Sequence, residues 1–187
     1  MERLAIITVG KTHSGKTTFA RALEKKLNNS FVMDQDNQAE FINKYYKKLR
    51  PKQGPNTLKY ELTRQIVAYA KENTDLHFII CNSNRGRKGR LYLLEELFPK
   101  GEFVRILVHF DIPDDVLQAR VKQSQRSTNI LRTAANFEEV LIRQQTDSLK
   151  EDIKDPVEDE ADYLFVIKNN AETQSIIQRI VHIAQSL

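Results

Sequence analysis

Gly10-Lys11-Thr12-His13-Ser14-Gly15-Lys16-Thr17-Thr18 contains a glycine, four free positions and then Gly-Lys-Thr, the spacing of a loop that wraps phosphate. Before it, Leu4 to Val9 is an apolar, β-branched run of strand length. After it, Thr17 to Leu27 sets Phe19, Ala20, Leu23 and Leu27 at helical spacing, which implies one buried face. Glycine lets the backbone curl until successive amide N–H groups point inward. A helix starting near Lys16 adds its partial positive charge beneath bound phosphates. Gly10, Thr12, His13, Ser14, Gly15, Lys16, Thr17 and Thr18 are therefore the expected nucleotide cradle, with ATP and Mg²⁺ as the implied cofactors. Lys16 is expected to reach the β- and γ-phosphates, and the Thr17 hydroxyl to hold Mg²⁺. His13 reads as a variable filler, because the loop's backbone does the binding.

Working outward, short β-branched or aromatic runs alternate with longer segments of helical period. Strands are expected at Leu4 to Val9, Phe31 to Met33, Phe78 to Asn82, Val104 to Phe110 and Tyr163 to Ile167. Helices are expected at Thr17 to Leu27, Leu62 to Ala70, Leu91 to Phe98, Asp114 to Gln123, Phe137 to Leu149 and Thr173 to Ser186. The alternation predicts an α/β fold, a three-layer α/β/α sandwich around a five-stranded parallel sheet. One domain, 1–187, accounts for the whole chain. Two stretches interrupt the pattern. Leu49 to Thr57, with Pro51, Gly54 and Pro55, reads as a loop at a cleft rim. Residues 124–136, rich in Ser, Thr, Asn and Arg, read as the mobile part of a lid spanning 120–136.

The 187 residues carry 29 Lys and Arg against 25 Asp and Glu, net +4, and 40% are hydrophobic, which excludes a disordered or fibrous chain. The longest apolar runs are strand-sized, far below the roughly 20 residues of a membrane helix, and nothing at Met1-Glu2-Arg3 resembles a leader. No membrane association is expected. A single cysteine, Cys81, rules out an internal disulfide and points to a reducing cytoplasm. Charge is uneven: residues 1–150 hold 26 basic and 17 acidic side chains, residues 151–187 hold 3 and 8. That excess suits a phosphate-rich ligand or a nucleic acid, and equally a lysine-rich solvated surface. The acidic run Glu151 to Asp162 reads as a solvated connection rather than a metal site.

The second strand ends in Asp34-Gln35-Asp36, at the carboxyl edge where ligands bind in open α/β sheets. With the strand's alternation continued, both carboxylates point the same way. Asp34 then helps hold the metal, and Asp36 accepts a proton from an acceptor hydroxyl, the division of labour that phosphoryl transfer to an alcohol needs. The plainer alternative is that Asp34 caps a helix beginning around Asn37 and Asp36 sits near its first turn. The third strand ends in Cys81 and Asn82, where many phosphate-loop proteins place a metal-binding acid, so Asp34 is the favoured metal-side carboxylate. Beyond it, Asn82 to Arg90 packs four cations ahead of a helix, and Arg85, Arg87 and Arg90 are candidates for acceptor phosphate or nucleic-acid backbone. Arg120, followed by Lys122, Arg126 and Arg132, leads into the lid, and one or two of these could stabilise charge on the transferring group. Tyr45, Tyr46 and Tyr60 flank basic residues, which suits base stacking, but core packing is the favoured reading.

Together these residues resemble the P-loop kinases of the polynucleotide 5′-hydroxyl kinase type, with relatives among shikimate, gluconate and zeta-toxin-like kinases. The likeness rests on residues 10–17, Asp34-Gln35-Asp36, Ile80 to Asn84, Phe110 to Pro113, and Arg120. It implies an ATP-dependent kinase with Asp36 as general base, Arg120 on the donor phosphates, and Asp34 near Mg²⁺. Asp36 would also hold the acceptor, either a nucleic-acid 5′ end or a small metabolite alcohol. A nucleotide-binding regulatory ATPase and a nucleoside monophosphate kinase are the alternatives.

Overall fold

The computed structural model describes residues 2–187. Five strands, β1 (Arg3–Gly10), β2 (Ser30–Asp34), β3 (His77–Cys81), β4 (Phe103–Phe110) and β5 (Tyr163–Ile167), form one all-parallel sheet in the order β2-β3-β1-β4-β5. β1 lies at the centre, where Ile6 pairs with Ile79 on one side and Ile106 on the other. A strand covered on both faces needs apolar side chains at successive positions, and Leu4 to Ile7 are all fully buried.

Alternation divides those side chains between two layers. Leu4 and Ile6 pack with α1 (Lys16–Glu24), α5 (Asp114–Lys122), α6 (Phe137–Asp147) and α7 (Thr173–Gln185), through Phe19, Leu117, Leu141 and Ile180. Ala5, Ile7 and Val9 face the other way, toward α3 (Thr57–Asn73) and α4 (Arg87–Tyr92) with its π-helical continuation Leu93–Leu97, through Val67, Leu94 and Phe98. Phe78 centres this second layer, its ring 5.1 Å from Phe31, 5.2 Å from Phe98 and 5.6 Å from Phe103. Burying a ring of that size stabilises the fold by about 2–3 kcal/mol.

Three expectations need correction. A helix, α2 (Gln35–Tyr45), follows β2 directly, and Asp34 caps it by accepting the Asp36 N–H at 3.0 Å. α3 begins at Thr57 rather than Leu62, because the Asn56 side chain accepts the Lys59 N–H and so satisfies an otherwise orphaned donor. α4 begins at Arg87 rather than Leu91. Asp152 makes that possible: its carbonyl takes the Arg87 N–H at 2.7 Å and its carboxylate takes the Lys88 N–H at 3.0 Å. Arg87, Lys88 and Arg90 therefore lie on the helix, not ahead of it.

The acidic run is more than a solvated connection. Glu160 forms a two-pronged ion pair with the fully buried Arg90, at 2.8 and 2.9 Å, and Asp162 grips Arg105 at 3.0 and 3.2 Å. Among the described residues no group of three or more His, Cys, Asp or Glu side chains could hold a metal. No described helix is long and apolar enough to cross a membrane.

Candidate active site

The first strand delivers the chain to Gly10, where a side chain would meet Phe110 Cβ, the Phe110 carbonyl and Ser14 Oγ, each at 3.0 Å. Only glycine fits that approach. Gly15 enters α1 with φ at 103°, a left-handed backbone that L side chains rarely adopt. His13 accepts a left-handed backbone too, at φ 58°, and is tied down on both ring nitrogens: Nε2 lies 2.7 Å from Ser124 Oγ and Nδ1 lies 3.0 Å from Thr12 Oγ1. Its ring meets Phe137 edge-on at 4.9 Å. Burial first, then the nearby Arg126, Lys16 and Arg120, lower its pKa from the usual value. His13 is thus more than a filler, since it joins the loop to the segment after α5.

Lys16 lies across the loop and donates to the Lys11 carbonyl at 2.5 Å and to Ser14 Oγ at 3.1 Å. Burial pushes its ammonium down to about 8, against the opposing pull of Cys81, Asp36 and Asp34. Thr17 donates its hydroxyl to Asp34 Oδ2 at 3.3 Å, and the other Asp34 oxygen caps α2. Asp34 therefore does cap the helix, the plainer of the two readings, while its second oxygen accepts from the Thr17 hydroxyl. Burial, chiefly, raises its pKa. This pair of oxygen donors at the end of the loop fits a hard divalent cation, which prefers oxygen ligands. Cys81 adds no charge there. Its thiol is 3.6 Å from the Thr17 hydroxyl, and burial, aided by Asp34, pushes it up to about 11, so it stays neutral. Asn82 donates instead to Gln35 Oε1 at 2.7 Å.

These groups open into a cleft of about 600 Å³, within the usual range for a small-ligand site. Thr12, His13, Gly15, Lys16, Thr17 and Thr18 line one wall, while Asp36 and Arg126 face them. Asp36 is ion-paired to Arg126 Nη2, and the Arg126 guanidinium lies 5.1 Å from the Phe137 ring centroid. Arg120 donates to the His13 carbonyl at 3.1 Å and to Asn170 Oδ1 at 2.9 Å, which fixes it against the loop.

The proposed acceptor arginines separate. Arg90 is a buried structural cation, holding Glu160 and donating to the carbonyls of Asn84 and Arg85. Arg85 ties the loop after β3 to α6, through the Gln144 carbonyl at 2.8 Å and the Ser148 hydroxyl. Arg87 is on the surface, 3.9 Å from Glu160. None of the three lines the cleft; a cation-rich stretch after a strand does not say which way each side chain turns, and partners far along the chain decide it. Arg132, one of the cations expected near the lid, does line the cleft, as do Lys59, Arg143 and Gln144, which the sequence left unmarked. Lys59 faces Asp36 and Asp34 across the cleft, and burial lowers its pKa. Arg132 donates to the carbonyls of Pro51, at 2.8 Å, and Gly54. Gln144 takes the Thr12 N–H at 2.7 Å. Residues 120–122 belong to the last turn of α5, so the irregular segment crossing the cleft runs 123–136, with a 3-10 turn at Thr128–Ile130 that packs on α2.

Comparison with known proteins agrees with this arrangement. The family model AAA_33, described as an AAA domain, matches residues 6–151. No curated protein matches the sequence. Among solved structures, shikimate kinase from Bacteroides thetaiotaomicron is 17% identical with a TM-score of 0.58, over 97% of this chain and 98% of that one. Mycobacterium tuberculosis APS kinase CysC, in complex with AMPPNP and APS, is 14% identical with a TM-score of 0.61, over 99% of each chain. Chaetomium thermophilum Kti12, in complex with ADP-AlF3, is 15% identical with a TM-score of 0.61, over 94% of this chain and 96% of that one. What they share with this chain is the P-loop kinase fold.

Proposed function

This chain belongs to the AAA_33 family of AAA domains, and from that premise we propose that it transfers the γ-phosphate of ATP to an acceptor hydroxyl. The observation that carries the reading is Asp36, a carboxylate in the first turn of α2 that lines the same cleft as the phosphate loop and is paired there with Arg126 from the segment after α5. A nucleotide-binding protein that only changes shape has no use for a proton acceptor there.

In this reading the amide groups of residues 13–18 and the Lys16 ammonium cradle the β- and γ-phosphates, with Arg120 held beside them by Asn170. Thr17 and Asp34 are the residues that fit Mg²⁺, which would supply positive charge against the developing negative charge. The acceptor oxygen bonds to the γ-phosphorus as the bond from that phosphorus to the β–γ bridging oxygen breaks, and the electron pair leaves with ADP. The acceptor's proton passes to Asp36. Arg126, paired with Asp36, is placed to shift onto the transferring group as the acceptor arrives, and residues 123–136 act as the lid that excludes water. The acceptor side carries Lys59, Arg126, Arg132 and Arg143, so an acceptor bearing negative charge suits it. The single, buried Cys81 fits a reducing, cytoplasmic setting.

The test is transfer of labelled γ-phosphate from Mg²⁺-ATP to 5′-hydroxyl oligonucleotides, nucleoside monophosphates and small alcohols, with Lys16→Ala and Asp36→Asn alongside. Label on one acceptor class that vanishes in both variants is the expected result. Label appearing only as inorganic phosphate, and untouched by Asp36→Asn, replaces this reading with a regulatory ATPase. Label on free nucleotides makes the protein a nucleoside monophosphate kinase.

A further inference from the structure

Two features that the sequence singled out still lack a role. At the end of α2, Phe41, Tyr45 and Tyr46 are 44%, 62% and 47% exposed, and Tyr60 on α3 is 46% exposed, so core packing fails for the tyrosines. The exposed acids Glu40 and Glu61 flank those rings, and nothing about the face selects one partner. His13 is the other feature, and its surroundings say more.

His13 stands in the middle of the phosphate loop, and the end of α5 holds it twice. Arg120 donates to its carbonyl at 3.1 Å, and Ser124 Oγ, from just beyond the helix, lies 2.7 Å from its Nε2. Ser124 keeps its place on the helix, because its N–H donates to the Val121 carbonyl at 3.1 Å. Its hydroxyl oxygen has a second partner, the Arg126 N–H at 3.2 Å. Ser124 therefore fixes where the chain carries Arg126, whose guanidinium is the group paired with Asp36. Phe137 completes the circuit, meeting the His13 ring at 4.9 Å and the Arg126 guanidinium at 5.1 Å. A run of contacts, His13 to Ser124 to Arg126 to Asp36, thus joins the loop to the carboxylate of the candidate base. The route through Thr17 and Asp34 reaches only the Asp36 N–H. A neutral imidazole has one donor and one acceptor nitrogen, and the Thr12 and Ser124 hydroxyls can each take either role. Both His13 bonds therefore form without adding a charge beside Lys16, Arg120 and Arg126.

We propose that Ser124 is a positioning residue that couples the two sides of the cleft: nucleotide in the phosphate loop fixes His13, His13 fixes Ser124, and Ser124 sets Arg126 against Asp36. Residues 13–18 turn their N–H groups onto phosphate, so filling the loop removes freedom from the residue whose ring Ser124 holds. A segment tied to that ring opens less often, and its amides exchange with solvent more slowly. The bearing on the base rests on the phosphotransfer reading; the coupling of the loop to residues 123–136 does not.

The test is hydrogen exchange of the full chain, followed by mass spectrometry with and without Mg²⁺ and AMPPNP, a hydrolysis-resistant ATP analogue. In the wild type, nucleotide is expected to slow exchange across residues 123–130, the Arg126 N–H among them. Ser124→Ala removes the oxygen that His13 and Arg126 share, and should lower that protection about two- to tenfold, the effect of one ordinary hydrogen bond. Protection at residues 13–18 and the AMPPNP dissociation constant should stay at the wild-type values. Ser124→Thr keeps a hydroxyl and should restore the protection. Equal protection of residues 123–130 in wild type and Ser124→Ala overturns the proposal, as does a Ser124→Thr chain that behaves like Ser124→Ala. A loss of AMPPNP affinity in Ser124→Ala that matches its loss of protection overturns it too, because Ser124 would then act on the nucleotide itself. Absence of AMPPNP binding by the wild type overturns both this proposal and the phosphotransfer reading. Label transfer from ATP is followed in parallel, where Ser124→Ala should raise the share of label lost to water, since a loosened segment admits it. Protection that depends on Ser124, without transfer to any acceptor, retires the phosphotransfer reading and leaves the coupling standing. Transfer and protection that Ser124→Ala leaves unchanged do the reverse.

Discussion

The two walls of the cleft are built in opposite ways. The donor wall is one continuous piece of chain, residues 10–18, whose shape follows from glycines at two positions and a helix that starts on cue. The acceptor wall draws Asp36 from α2, Lys59 from α3, Arg126 and Arg132 from the irregular segment, and Arg143 from α6. One wall works chiefly through backbone amides, the other through side chains that meet only in the folded protein. On the proposed function, the difference makes phosphate capture a local property of this sequence and the choice of acceptor a tertiary one. Changes to the acceptor wall should therefore alter which hydroxyl is used and how fast, without loosening the nucleotide.

Asp36→Asn puts the greatest strain on that division. Loss of a positioned base should lower the rate of transfer by about 10²–10⁴-fold, with the ATP dissociation constant unchanged by calorimetry; weaker ATP binding of the same size would merge the two walls into one. Next in size is Arg90→Ala, which touches neither wall. Leaving Glu160 buried without its partner should cost about 3–5 kcal/mol in chemical denaturation, while the surface variant Arg87→Ala should stay within about 0.5 kcal/mol of wild type. Equal effects would mean that Arg90 is not the cation supporting the loop after β3. Lys59→Ala should then raise the acceptor KM about tenfold, the effect of one lost charged contact, with the ATP KM unmoved in steady-state kinetics.

The mildest test concerns pH. Burial lowers the Lys16 pKa to about 8, and bound phosphates favour its charged form, so the bound pKa exceeds the free one. Nucleotide binding then takes up a proton once pH passes about 8. Affinity should be level below that point and fall by up to tenfold per pH unit above it. A flat profile to pH 10, about two units past the free pKa, would mean that Lys16 is already charged throughout.

That same contrast explains how much could be read beforehand. All five strands are where their apolar runs lie, within a residue or two; burial on both faces demands unbroken apolar sequence in the central strands, and even the edge strand β5, with Tyr163 and Val166 exposed, keeps an apolar run. The phosphate loop was legible for the same reason: its chemistry is contiguous. α2 was visible only as a capping alternative, since just Ala39 and Ile42 of its apolar side chains are buried and its other face carries the exposed rings. The early start of α4 depends on Asp152, and the burial of Arg90 on Glu160, partners far along the chain. Lys59 carried no local mark at all, and Arg132 only that of one cation among several near the lid. Charged side chains declare their role through what they face, and a sequence does not list that. His13 falls between the two cases: its place in the loop was legible, but its contact with Ser124 was not.

The position of β1 has a consequence for the order in which the protein comes into being. Its partners lie downstream, β3 at residues 77–81 and β4 at residues 103–110, and Gly10 is wedged against Phe110. As the chain leaves the ribosome, the phosphate loop emerges before both strands that flank β1, and Gly10 has no Phe110 to pack on until β4 has followed. A nascent chain stopped before Phe103 has β3 to pair one edge of β1 but leaves the β4 edge of that central strand open. On the proposed function, nucleotide stabilises chiefly chains whose central strands are complete, and acts late in folding rather than as an early guide.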